Sequence, residues 1–156
     1  MTFTIVPAAL NNPAHANAVL TLLNEFAADD FGRRQAMSAE EQERLLPGLR
    51  AFDNKLLLLA NCADVYAGIA VCYFEFSIFS GRKMLRLHDL YVTPPYRGRK
   101  IARQLVAAVV EKARHFDCAF LTVEVEQENQ PAIALYRSFG CVDWIAPTQY
   151  LELKLD

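Results

Sequence analysis

Tyr91-Val92-Thr93-Pro94-Pro95-Tyr96-Arg97-Gly98-Arg99-Lys100-Ile101-Ala102-Arg103 is the stretch from which the rest of the chain can be laid out. It reads as a strand end, a proline-stiffened turn and a helix start. Upstream, Leu85 to Val92 is rich in aliphatic, aromatic and β-branched residues, as a strand requires. Downstream, Ile101, Leu105 and Val109 recur at a spacing of four, as do Ala102, Val106 and Val110, which predicts a helix. Arg97, Arg99, Lys100 and Arg103 crowd the start of that helix. The positive end of a helix dipole disfavours cations there, so local folding does not account for them. A bound polyanion does, because free N–H groups and cations together make a phosphate site. A solvated basic surface cluster is the plainer alternative.

The 156 residues fit one domain spanning 1–156, with 53% hydrophobic residues and a formal net charge of −2. That balance disfavours nucleic acid as a partner and makes any phosphate site local. Cys62, Cys72, Cys118 and Cys141 form no metal-ligand spacing and read as reduced core thiols, with no metal expected. Met1 to Ile5 lacks the pattern of a signal peptide, and no apolar run approaches the ~20 residues of a membrane span. A cytoplasmic protein is expected.

Around the opening stretch the elements follow in order. Phe3 to Pro7 is a short strand. Asn12 caps a helix begun by Pro13, with Ala16, Val19, Leu20, Leu23 and Phe26 as its apolar stripe. Ser38 and Glu41 form a capping box for a second helix, which Pro47-Gly48 is expected to interrupt or end. Leu56–Ala60, Val65–Ser77 and Leu85–Val92 read as three successive antiparallel strands, with a bulge expected at Gly68. Ala119–Glu126 is the next strand. With the basic helix between, it forms a right-handed parallel crossover, whose ligand site lies at the carboxyl ends of the strands. Asn129 and Pro131 start a short helix that Gly140 stops. Cys141–Ile145 and Gln149–Leu155 are predicted to close the chain as two strands.

Arg97-Gly98-Arg99-Lys100-Ile101-Ala102 resembles the pyrophosphate loop of the GNAT acyltransferases: Arg or Gln, two residues, Gly, one residue, then Gly or Ala. Lys100 stands where that pattern has its glycine. Asn129, Ala132, Tyr136 and Gly140 match a second motif of the same superfamily, and Tyr73 to Val92 is similar to its diamine and small-amine branch. The resemblance implies an α+β fold with a mixed, mostly antiparallel sheet of about seven strands and helices on both faces. It implies acetyl-coenzyme A as cofactor, bound by Leu90, Tyr91, Val92, Arg97, Gly98, Arg99, Lys100, Ile101, Ala102, Arg103, Asn129 and Tyr136. Tyr136 is then the general acid, and a backbone N–H near Leu90 or Tyr91 serves the thioester carbonyl. His88 is the candidate base, directly or through water. Alternation along the strand predicts that Asp89 points to the other face. Phe26, Asp29, Asp30 and Asp89 are candidate contacts to a small amine. Small members of the superfamily also imply a homodimer through Gln149–Leu155. The competing functions are an acetyltransferase for protein or peptide N-termini and a catalytically silent coenzyme A-binding protein.

Overall fold

The computed structural model describes residues 1–146 and 148–155. Five strands form one sheet in the order β1-β2-β3-β4-β5. They are β1 (Thr4–Pro7), β2 (Lys55–Cys62), β3 (Val65–Ser77), β4 (Arg82–Val92) and β5 (Phe120–Val123). The first four pair antiparallel, and β4 pairs parallel with β5. The helices are α1 (Pro13–Ala28), α2 (Ala39–Ala51), α3 (Ile101–His115) and α4 (Gln130–Ser138), with a short 3-10 turn at Pro94–Tyr96. No described helix is long and apolar enough to cross a membrane.

Each helix starts where its capping chemistry puts it. The Asn12 side chain accepts from the Ala14 and His15 N–H groups ahead of α1. Ser38 and Glu41 close a reciprocal capping box on α2. The sheet separates two apolar layers. Leu58, Ala70, Cys72, Leu85 and Leu87 face α3 and α4, against Leu105, Val106, Val109 and Tyr136. Leu57, Leu59, Ile69, Val71 and Tyr91 face α1 and α2, against Val19, Leu22 and Leu49. All four cysteines are free, and burial pushes the Cys72 thiol up to about 12.

Three expectations are corrected. First, the sheet has five strands among the described residues, not about seven: Cys141–Ile145 and Gln149–Leu155 pair with no strand. Alternation gives a segment the capacity to be a strand, but a ladder also needs a partner edge. Val142, Trp144, Ile145, Tyr150, Leu151, Leu153 and Leu155 are all exposed instead. Second, α2 runs on through Pro47 to Ala51. Buried Leu49 and the hydrogen bonds from Arg50 to the Leu10 carbonyl hold its last turn in place, so tertiary contacts outweigh the lost N–H. Third, β5 is only four residues long, because β4 departs from it after the Leu87–Val123 pair.

The expected irregularity at Gly68 is present: Ala60 faces Gly68 and Asn61 faces Tyr66, which leaves Ala67 as the extra residue. A Cβ on Gly68 would lie 2.8 Å from the Tyr91 carbonyl oxygen. Gly68→Ala should therefore destabilise the protein by about 1–3 kcal/mol, the usual cost of overpacking, read as a lower urea midpoint. Lys100, the residue ahead of α3, adopts a left-handed φ of 63°. That conformation costs an L-residue roughly 1–2 kcal/mol. Lys100→Gly should preserve or raise the urea midpoint, and the β-branched Lys100→Val should lower it.

Candidate functional site

The site begins with a bulge. Val71 pairs with Asp89 and Cys72 with Leu87, so His88 is an extra residue in β4. Leu87 and Leu90 both belong to the α3 side and Tyr91 to the α1 side. Between them the doubled position sends both His88 and Asp89 toward the α1–α2 side. The alternation expected from sequence is therefore broken, and the two side chains meet. His88 Nδ1 donates to Asp89 Oδ2 at 3.0 Å. This hydrogen bond raises the His88 pKa, against an opposing effect of burial. The Tyr73 ring meets the imidazole edge-on at 5.2 Å between centroids. Close by, Arg86 pairs with both Glu75 and Glu124. Together with Asp89, these groups give the neighbourhood an acidic excess.

Pairing between β4 and β5 ends at Leu87–Val123, just before the bulge. From His88 to Val92, β4 has no strand on that side among the described residues, and its outward N–H and C=O groups are available to an extended ligand. Leu90, Tyr91 and Val92 lie on this stretch. The segment after β5 is tied instead to the α1–α2 connection, where Arg34 donates to Glu126 at 2.6 Å.

Beyond β4 the chain passes the 3-10 turn and reaches the basic loop. Gly98 has a φ of 77° and open space where a side chain would stand. No side chain among the described residues caps α3, so the N–H groups of Ile101, Ala102 and Arg103 meet the general shortage of partners at a helix start. This is the arrangement that fits a diphosphate. Lys100, which stands where the motif has its glycine, takes a left-handed conformation of the kind glycine adopts freely.

The basic side chains divide. Arg97 is half exposed but held by the protein, donating to Asp29 Oδ2 at 2.7 Å and to the Val92 carbonyl at 2.9 Å. Arg99 lies over the Tyr96 ring, and Arg103 reaches Ser138 and the Phe139 ring. Lys100 has no ion pair among the described residues.

On the other layer, Tyr136 is buried among Cys72, Leu85 and Leu87, and burial pushes its phenol up to about 12. Its hydroxyl therefore stays protonated at neutral pH, which suits a donor and not a base. Asn129 spends its side-chain oxygen on the Ala132 N–H, as the cap of α4. Of the candidate substrate contacts, Asp89 is held by His88 and Asp29 by Arg97. Phe26 packs on the Tyr91 ring at 5.7 Å, and Asp30 is exposed. Glu25 accepts from the Tyr91 hydroxyl at 3.3 Å. Glu25 and Asp29, the residue that caps the end of α1, stand one helical turn apart.

The chain is similar to known proteins over most of its length. It is 30% identical over 93 residues to a thialysine N-epsilon-acetyltransferase of Mus musculus, a match covering 60% of this chain and 54% of that protein. This chain thus spans about half the length of the mouse relative. The protein of that name from Caenorhabditis elegans is 26% identical over 146 residues, covering 92% of this chain and 88% of the relative. Among solved structures, an aminoglycoside acetyltransferase from an uncultured soil metagenomic sample superposes with a TM-score of 0.79 at 17% identity, covering 97% of each chain. That likeness concerns the fold. The sequence pattern of the acetyltransferase (GNAT) family matches residues 20–141. With the basic loop and the interrupted β4–β5 pair at its centre, this chain belongs to the acetyltransferase (GNAT) family.

Proposed function

We propose that the protein is an N-acetyltransferase that carries the acetyl group of acetyl-coenzyme A to a primary amine of a small molecule, such as a polyamine, a diamine or an amino-acid-like amine. The observation that carries this reading is the bulge at His88. It puts an imidazole–carboxylate pair on one side of an unpaired strand edge that leads directly to an uncapped helix start. Acetyl-coenzyme A supplies the activated acetyl thioester. The start of α3, with Gly98, Arg99 and Lys100, would hold its diphosphate, and the free edge of β4 near Leu90 and Tyr91 would donate to the thioester carbonyl.

His88 takes a proton from the acceptor ammonium, directly or through water. The freed amine nitrogen bonds to the carbonyl carbon, the carbon–sulfur bond breaks, the Tyr136 hydroxyl donates to the departing sulfur, and the second proton of the nitrogen returns to the Tyr136 phenolate, directly or through water. The acidic excess from Glu75, Glu124 and Asp89 favours a cationic acceptor. The thialysine N-epsilon-acetyltransferase relatives support a small amine over a protein terminus. Thiol release from acetyl-coenzyme A, measured over a panel of small amines and N-terminal peptides, tests the reading. Turnover with no small amine would contradict it.

We infer a homodimer as the working form. The support is the run of exposed apolar side chains from Val142 to Leu155, with Ile145 at 96% and Leu151 at 85% exposure. Such a run is a sheet partner or interface in waiting.

The sequence of proton transfers gives two kinetic expectations. Tyr136→Phe should lower kcat by roughly the 10²–10⁴ of general acid–base catalysis with coenzyme A affinity little changed. Full turnover at a rate-limiting chemical step would remove Tyr136 from the mechanism. His88 acts as a base only when neutral, so its raised pKa moves the acidic limb of the pH–rate profile above the ordinary histidine value of 6.5. Asp89→Asn removes the group that favours the protonated ring, and should shift that limb to lower pH. A limb that stays in place would exclude His88 as its origin. For assembly, light scattering should give twice the monomer mass, and Leu151→Asp with Leu153→Asp should return the monomer.

A further inference from the structure

Arg97 is half exposed, yet it has three attachments within the protein. Its Nη2 donates to Asp29 Oδ2 at 2.7 Å, and its Nε donates to the Val92 carbonyl at 2.9 Å. Its guanidinium also lies 5.5 Å from the centre of the Tyr91 ring. Asp29 is the residue that ends α1, and only 18% of its side chain is exposed. Burial alone would raise its pKa, but the Arg97 hydrogen bond and the Phe31 N–H reverse that, and the carboxyl is lowered overall. The Tyr91 hydroxyl reaches back to Glu25, one turn earlier in α1. The last turn of α1 is thus fixed to the end of β4 through one guanidinium and one phenol.

We propose that Arg97 is a positioning residue that braces the end of α1 against the end of β4, and that it is not a ligand of the cofactor phosphates. The proposal rests on the coenzyme A-binding reading given above and divides the work of the basic loop. Arg97 spends its charge on Asp29 and two of its N–H donors on the protein. Within the loop, Lys100 and Arg99 are the cations with no carboxylate partner among the described residues. The brace joins the two halves of the site, because α1 leads into the connection that Arg34 ties to Glu126 beside the acceptor side, while Arg97 leads directly into the phosphate loop. Lysine cannot replace arginine here, since a single ammonium cannot span Asp29 and the Val92 carbonyl in the same fork geometry.

The two roles predict opposite signs at Asp29. If Arg97 were a phosphate ligand held in reserve, removing the competing carboxylate would free its charge and tighten coenzyme A binding. If Arg97 is a brace, removing the carboxylate loosens the site. Dissociation constants for coenzyme A and for pantetheine, which lacks the phosphates, are to be measured by NMR titration. The proteins are the wild type, Asp29→Asn, Arg97→Lys and the double variant, each checked for folding by thermal melting. The expected result is that each single variant weakens coenzyme A on the order of tenfold, as loss of a charged hydrogen bond does. Pantetheine should weaken by the same factor, because the brace holds the strand end along which that arm would lie. The double variant should be no worse than either single one, as for residues that act as a unit. Tighter or unchanged binding in Asp29→Asn, wild-type affinity in Arg97→Lys, or a loss confined to coenzyme A would overturn the brace while leaving the proposed function standing. A wild type that binds no coenzyme A would overturn the proposed function, and the brace with it.

Discussion

One extra residue in β4 decides how this molecule can act. A strand that kept strict alternation would place His88 and Asp89 on opposite faces of the sheet, and would go on pairing with β5. Because Val71 faces Asp89 while Cys72 faces Leu87, both polar side chains emerge on one face and the parallel pairing stops at Leu87. The same local event thus forms the imidazole–carboxylate pair and opens the edge beside it. The bulge is sustained by its surroundings. Leu85 and Leu87 are fully buried against α3 before it, Tyr91 is buried against α1 after it, and the register on each side is fixed by those two layers.

Electrostatics at the site are arranged by pairing, not by free charge. Arg34 meets Glu126, Arg86 meets Glu75 and Glu124, Arg97 meets Asp29, and His88 meets Asp89. Such exposed pairs contribute little to stability individually. Their value here is geometric, since three of them link elements far apart in the chain. Arg97–Asp29 ties the start of the α1–α2 connection and Arg34–Glu126 its middle, and Arg86–Glu124 holds the segment after β5. At the start of α3, Lys100 has no ion pair among the described residues and shares one end of the helix with the uncapped N–H groups.

Much of this was legible in the residues. Asn12, Ser38 with Glu41, and Asn129 marked the helix starts because capping is a local interaction of a few residues. The crossover from Leu85–Val92 through the basic helix to the next strand followed from connection rules, and the basic loop stood out because its charges opposed the helix dipole. The contact between His88 and Asp89 was not legible, since a bulge depends on the register of two strands and leaves no mark on the residue that is doubled. Nor was the partnership of Arg97 with Asp29, which lie 68 residues apart. Both appear in sequence as charges without owners. The terminal strands failed for a related reason: Leu151, Leu153 and Leu155 alternate as a strand does, but a periodic pattern cannot report whether an edge is there to receive it.

The central claim is that the unpaired end of β4 and the start of α3 form one continuous cofactor surface. Amide hydrogen exchange, followed residue by residue with and without coenzyme A, tests it most directly. The outward-facing amides between His88 and Val92, and those from Gly98 to Arg103, should exchange rapidly in the free protein and become protected together when coenzyme A is added, while β1 and β2 stay unchanged. Protection confined to other parts of the sheet, or amides in both stretches that are already protected without ligand and unaltered by it, would contradict the account.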